Sequence, residues 1–204
     1  MSLLTSWGYT LTGEGATLGD IITAAEFNAF TAGRYAGDSR IAPGISAASL
    51  AFRNYCGWHV TGSMDCKISW TADNRGITRT GCDLLIQLPA RFVSTVSKVT
   101  VAGTETTDFH LENNGLLIVY DVAYLSRKDI VEVEYTAGIA DAAVIKEFVA
   151  QMVTLQVAKS YGVTSEAAGG VSITYNSVWT NGSFDQILSN NAGLLLGYRL
   201  EGVF

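Results

Sequence analysis

The chain of 204 residues is long enough to enclose a sizeable core in one large domain or two small ones, so size does not limit its stability. Hydrophobic residues make up 48% of it and charged residues only 16%, against about 25% in an average soluble domain, and its mean hydropathy is +0.23. A net charge of −6 and a pI near 4.8 exclude an overall basic field of the kind that holds nucleic-acid phosphates.

A chain with this little charge is expected to hide part of its apolar surface against other chains, because obligate interfaces resemble a domain core cut in half. The alternative is an Ala- and Gly-rich monomer. No run approaches the roughly 18 consecutive apolar residues that span a bilayer. The opening Met1-Ser2-Leu3-Leu4-Thr5-Ser6-Trp7 lacks the basic stretch of a secretion signal. A protein made in the cytoplasm, without a membrane, is expected.

The first forty residues read as an N-terminal arm with one short helix. Thr23-Ala24-Ala25-Glu26 fits a capping box ahead of Phe27 and Phe30, and Gly33 and Gly37 stand where that helix should end. Pro43-Gly44 is expected to break the chain. Ser46 then caps a helix over 46–57 that carries Leu50, Phe52, Arg53, Tyr55 and Cys56, with Gly57 as its stop and Trp58 packing back on it.

From about Lys67 the period changes from helical to alternating, which predicts an antiparallel β insertion over 66–136. Asp73-Asn74-Arg75-Gly76, Ala102-Gly103 and Asn113-Asn114-Gly115 carry hairpin signals. Five strands follow, with one face each assigned to Ile68 and Trp70, to Leu84, Ile86 and Leu88, to Val99 and Val101, to Leu116, Ile118 and Tyr120, and to Val131, Val133 and Tyr135.

Gly138 closes that unit and Asp141 opens the most strongly periodic helix, over 142–161, in which Val144, Ile145, Phe148, Val149, Met152, Val153 and Leu155 recur at spacings of three and four. Apolar residues cover more than half of its circumference, so one stripe can pack on the β unit while another meets a second helix or a neighbouring subunit. Gly162 ends it and closes a core over 41–162. Residues 163–204 read as a C-terminal arm: Ser165 to Gly170 as a loop, Val171 to Tyr175 as a short extended stretch, a short helix headed by Ser183 and Gln186, and an apolar ending from Leu194 to Leu200. The expected fold is α+β, a small helical bundle with an inserted antiparallel β unit and extended N- and C-terminal arms.

Sites of chemistry are scarce. Cys56, Cys66 and Cys82 form no CxxC pair and read as small buried hydrophobes. His59 and His110 belong to no metal-binding pattern. Asp108 and His110 fall on one strand face, where a hydrolytic pair is conceivable, but without a GxSxG elbow they read as a polar pair facing solvent. Glu132 and Glu134 likewise read as charge on an exposed face, and Gly169-Gly170 as a flexible loop. Asn181-Gly182-Ser183 reads as a turn and cap. Trp58 and Trp70 are assigned to the core, whereas Trp7 and Trp179, in irregular terminal segments, are better placed to anchor in a partner's pocket. No catalytic residue, metal site or cofactor is expected.

The order of these parts resembles the head-to-tail connector (adaptor) proteins of tailed bacteriophages. The resemblance is carried by Ala47 to Trp58 with its Tyr55-Cys56-Gly57-Trp58 ending, by Val133-Glu134-Tyr135-Thr136-Ala137-Gly138, and by Tyr161-Gly162-Val163-Thr164-Ser165-Glu166 leading into Gly169-Gly170-Val171-Ser172-Ile173-Thr174-Tyr175. It implies a ring of copies, usually twelve, beneath the portal protein and next to a tail or stopper protein, with helices around a channel through which DNA passes. It also implies a virion location at the head-tail junction, a C-terminal arm gripping the portal, and no catalytic residues. With the apolar ending, it points to Trp179, Leu194, Leu195, Leu196, Tyr198, Arg199 and Leu200 as the partner interface. The competing readings are a β-rich binding or adhesion module of a phage or bacterial surface structure and, last, a small hydrolase using Asp108 and His110.

Overall fold

The computed structural model describes residues 3–4, 7–12, 17–122, 124–140, 142–158, 165–168, 171–174 and 184–200. They form an α+β chain that divides into two units. One comprises 1–18, 56–141 and 198–204, and the other 19–55 and 142–197.

Among its described residues the first unit holds the strands β1 (Leu3–Leu4), β2 (Thr10–Thr12), β3 (Met64–Thr71), β4 (Ile77–Thr80), β5 (Asp83–Gln87), β6 (Val93–Val101), β7 (Thr104–Thr106), β8 (Phe109–Leu111), β9 (Leu116–Val119) and β10 (Ile130–Ala137). They build an antiparallel sheet in the order β1-β2-β3-β10-β6-β7 and a second in the order β4-β5-β9-β8. The period-2 pattern fixes the register of the first. Cys66, Ile68 and Trp70 on β3 stand opposite Tyr135, Val133 and Val131 on β10, and all six are buried. Ala102-Gly103 closes the β6–β7 hairpin with φ of 50° and 81°, the paired positive angles that a two-residue turn needs. Gly115, at φ 80°, closes the β8–β9 hairpin.

Three features of the β unit differ from the sequence reading. More strands form than the five assigned, because three-residue runs such as Thr10–Thr12 and Phe109–Leu111 become strands only by pairing with longer ones. The turn Asp73 to Gly76 makes no hairpin, since β3 and β4 lie in different sheets and the turn hands the chain from one to the other. In β9 the phase is reversed: Leu117 and Val119 are buried, Leu116 and Ile118 only partly, and Tyr120 is exposed. Every residue from Leu116 to Tyr120 is apolar or aromatic, so alternation carries no phase there. The pairing supplies it, by setting Ile86 against Leu117 and Leu84 against Val119.

The second unit contains α1 (Ala24–Phe30), α2 (Ile41–Cys56, whose last residue belongs to the β unit), α3 (Ala143–Ala158), a hairpin of β11 (Ser165–Ala168) and β12 (Val171–Thr174), α4 (Phe184–Asn190) and α5 (Ala192–Leu195). Thr23 forms the expected capping box: its hydroxyl accepts from Glu26 N, and the Glu26 carboxylate accepts from Thr23 N. The break expected at Pro43-Gly44 does not occur, and α2 starts at Ile41. Pro43 occupies the first turn, where a missing N–H costs nothing, and Gly44 N already donates to Arg40 O at 3.0 Å. Ser46 is therefore not a cap; its hydroxyl donates to Asp20. Ile41, Ile45, Ala48, Phe52 and Cys56 form the buried stripe of α2, and Phe52 meets Phe148 of α3 with ring centroids 5.9 Å apart. The stretch from Ser165 pairs as β11 with β12 rather than looping out. Asp141 and Gly162, assigned to the ends of α3, lie outside the described residues, as do Gly169, Gly170 and Asn181 to Ser183.

Candidate functional site

The residues that close the β unit converge on His59. Its ring is buried between two strands: Nδ1 lies 2.8 Å from the Tyr9 hydroxyl next to β2, and Nε2 lies 2.9 Å from the carbonyl oxygen of Ala137 on β10. The Tyr9 hydroxyl also accepts from His59 N at 2.9 Å. All three contacts are satisfied when Nε2–H donates to Ala137 and Tyr9 O–H donates to Nδ1. Val60, buried and β-branched, takes φ 64°, with Thr61 N donating to His59 O across it. Gly138, at φ 121°, admits no side chain, since a Cβ there would run into the Gly62 carbonyl and lie 2.9 Å from His59 Nε2. The patterns Tyr55-Cys56-Gly57-Trp58 and Thr136-Ala137-Gly138, far apart in sequence, thus end at one knot. This knot is sealed and structural.

Trp58 is fully buried. Its Nε1 donates to the carbonyl of Tyr198 at 2.6 Å, and Leu200 N donates to Cys56 O at 2.9 Å, so residues 198–200 are tied to 56–58 through the backbone. Phe92, at φ 54° and 46% exposed, stacks on Trp58 and approaches Tyr198. Trp70 is also in the core and donates to Gly8 O, while Trp7 stacks on Tyr9 and is half-buried.

The other residues assigned to the partner interface fall in different surroundings. Leu194 and Leu196 are 76% and 56% exposed, whereas Leu195 between them is buried. Arg199 is exposed and Trp179 lies outside the described residues. In the same unit Val144 of α3 and Leu50 of α2 are also largely exposed, Leu50 in a shallow groove with Ala47, Ala51, Asn54 and Tyr55. Sequence reasoning missed that groove because the helical pattern of α2 points to its buried stripe, and the small residues on its far side carry no signal of their own.

Several titratable groups are held in ion pairs. Lys67 stands between Glu132 and Glu134, at 3.3 and 3.4 Å, on the outward face of the large sheet. Partial burial works to lower its pKa, but hydrogen bonds and charge from Glu132 and then Glu134 outweigh that and raise it. His110 is exposed and meets Glu112 at 3.5 Å, while Asp108 N donates to the Thr106 hydroxyl. Burial pushes the Cys56 and Cys66 thiols up to about 12, as expected for inert buried cysteines, but Cys82 is exposed, against the sequence reading. Its neighbours explain this: Cys82 sits in the tight turn between β4 and β5, with Gly81 beside it. Tyr135, opposite Cys66, has a buried hydroxyl without a nitrogen or oxygen partner among the described residues, and burial raises its pKa further than the nearby Cys66 does.

Among the described residues no group of His, Cys, Asp and Glu side chains is arranged to hold a metal ion, and no helix is long and apolar enough to cross a membrane. No curated protein matches the chain. The family model for head completion protein matches residues 20–184, a span that includes His59, Ala137 and Gly138 of the knot and the helices α1 to α3, but neither Tyr9 nor the stretch from Leu194 to Leu200. This is a structural family of phage head-tail connectors and not an enzyme family, and it places the protein in the virion, in contact with the phage head and tail. On that match across most of its length, the chain belongs to the head completion protein family.

Proposed function

We propose that copies of this chain form a ring, twelve-fold, that joins the portal protein to a tail or stopper protein at the head-tail junction. The helical unit acts as a small bundle around the DNA channel, and the C-terminal stretch from 163 reaches the portal through Leu194, Leu196 and Trp179. DNA passes without being held. The acidic balance supports this, because a surface of net charge −6 does not retain phosphates.

The observation that carries the reading is the exposure of Leu194 and Leu196, at 76% and 56%, on either side of buried Leu195. Leu194 in the short helix α5 and Leu196 at its C-cap, with buried Leu195 anchoring the helix between them, support docking on another protein, since contiguous exposed apolar surface marks interaction sites. Leu50 and Val144 offer further apolar surface in the same unit.

The test is binding to DNA-filled heads that lack this protein. The wild-type chain should attach at one vertex and appear there as a ring by electron microscopy. The double variant Leu194→Asp, Leu196→Asp should keep the wild-type melting temperature and fail to attach. Attachment of the double variant at wild-type level would remove the C-terminal contact from the reading, and attachment without a ring would remove the ring.

A further inference from the structure

Strand β6 is covered unequally on its two sides. β10 runs along it from Val93 to Val101, but β7 covers only Val99 to Val101. The chain leaves β7 at Thr106 and crosses through Thr107 and Asp108 to β8 in the other sheet. From Val93 to Lys98 the side away from β10 therefore has no strand beside it, and nothing among the described residues meets its backbone N–H and C=O groups. An open edge of this kind is a template for another strand.

The same sheet ends on its other side in β1, which pairs with β2 through Leu3 and Leu4 and has no further strand beside it among the described residues. One sheet thus carries two unlike open edges at opposite ends. Two different, mutually complementary patches on one chain produce a head-to-tail contact, which closes into a ring when the rotation between copies allows it. We propose that the open stretch Val93 to Lys98 of one copy receives strand β1 of a second copy, so that neighbouring sheets join edge to edge. This rests on the ring reading above.

The bulges in β6 select the donor. The register against β10 skips Ser97 between Glu134 and Tyr135, and skips Ser94 between Thr136 and Ala137. Both serine hydroxyls donate to β10, Ser97 to Glu134 O and Ser94 to Thr136 O, which fixes the two bulges in place. Bulges this close together break the edge into short runs and twist it, which protects it from long flat strands. A strand as short as Leu3–Leu4 fits between them. Charge does not oppose the pairing: Lys98 is the only charged residue of the open stretch and is already paired with Glu105 at 3.5 Å, and Leu3 and Leu4 are uncharged.

Hydrogen exchange followed by mass spectrometry on the peptide covering Val93 to Lys98 tests this. In the full chain at high dilution the amides of this peptide that point away from β10 should exchange fast, while those bonded to β10 stay slow, and in the ring on heads the fast ones should slow by at least about tenfold. Deleting residues 1–5 should keep them fast in every state, and a synthetic peptide of residues 1–7 added to that variant should restore the slowing. The same peptide in excess over the full chain should inhibit ring formation, which gives a readout that does not depend on the truncated chain folding. Fast amides in an assembled ring overturn the edge contact and leave the ring reading intact. A dilute monomer in which no amide of this peptide exchanges fast overturns it as well, since the chain would then cover its own edge. Absence of any ring on heads overturns both.

Discussion

His59 Nε2 lies 2.9 Å from the carbonyl oxygen of Ala137, and this hydrogen bond joins the residue that follows Trp58 to the end of β10, 78 positions further along the chain. The other ring nitrogen faces the Tyr9 hydroxyl, which in turn accepts from His59 N, so one side chain connects three distant segments of the β unit. In Tyr9→Phe, a buried imidazole nitrogen and a buried backbone N–H lose their bonds to the Tyr9 hydroxyl together. The expected loss is about 2 to 3 kcal/mol of unfolding free energy, read from denaturant midpoints at constant m-value. A loss below about 0.5 kcal/mol would show that water replaces the hydroxyl.

Gly138→Ala should be far more severe. Its φ of 121° lies where side chains are rarely tolerated, and the new Cβ would run into the Gly62 carbonyl while lying 2.9 Å from His59 Nε2. Neither neighbour can yield, because one is backbone and the other is held by hydrogen bonds on both ring nitrogens. The variant should lose more than about 4 kcal/mol or fail to accumulate as folded protein. Soluble Gly138→Ala with a near wild-type melting temperature would mean that the turn can relax.

Much of this knot was legible only as punctuation. The sequence marks Gly57 and Gly138 as stops and Trp58 and Tyr135 as core, because glycine ends elements and alternation marks buried faces. Nothing local announces that Tyr9 or His59 will meet Ala137, since such contacts belong to tertiary pairing. The same limit explains β9, where an unbroken apolar run hides its phase, and α2, where Pro43 punctuates a helix start instead of a break. Within the apolar ending, composition marks Leu194 to Leu196 as sticky, but only the turn of α5 decides that Leu195 goes inside.

Acid should weaken the helical unit through Glu26. The hydrogen bond from Lys146, at 2.6 Å, followed by those from Thr23, lowers its pKa from 4.5 to about 2. A depressed folded-state value stabilises above the unfolded pKa and is lost as protons bind, so this contribution is complete above pH 4.5 and falls away from there towards pH 2. Asp38, lowered to about 2 by Arg40, titrates in the same window, so the comparison must be made between variants. Glu26→Gln should remove part of the pH dependence below 4.5 and leave the curve at neutral pH parallel to wild type. With the Glu26 side chain 37% exposed the effect is small, and identical slopes in the two proteins would show that the pair adds nothing.

Thiol reactivity should separate the three cysteines. Burial raises Cys56 and Cys66 to about 12, so neither offers thiolate or access at neutral pH, while Cys82 is exposed. A maleimide should modify one thiol per chain in the native protein, located at Cys82 by peptide mapping, and three after denaturation. Native labelling at Cys56 would report opening where residues 198–200 are tied to the β unit, because Leu200 N donates to Cys56 O.

Three consecutive leucines should respond in two different ways. Leu195→Ala removes a side chain that is 4% exposed and should lower stability by about 2 to 4 kcal/mol through lost burial and the cavity left behind. Leu194→Ala and Leu196→Ala remove groups that are already in water and should change stability by less than about 0.5 kcal/mol. If the two exposed leucines are instead the partner contact, their cost appears in attachment to heads, where loss of a central apolar anchor costs about 1 to 2 kcal/mol, or roughly tenfold in affinity. Measuring melting temperature and head binding on the same three variants therefore separates anchor from contact. Equal stability losses at all three positions would mean that α5 buries its exposed leucines in the isolated protein as well, and the C-terminal contact would have to be sought elsewhere.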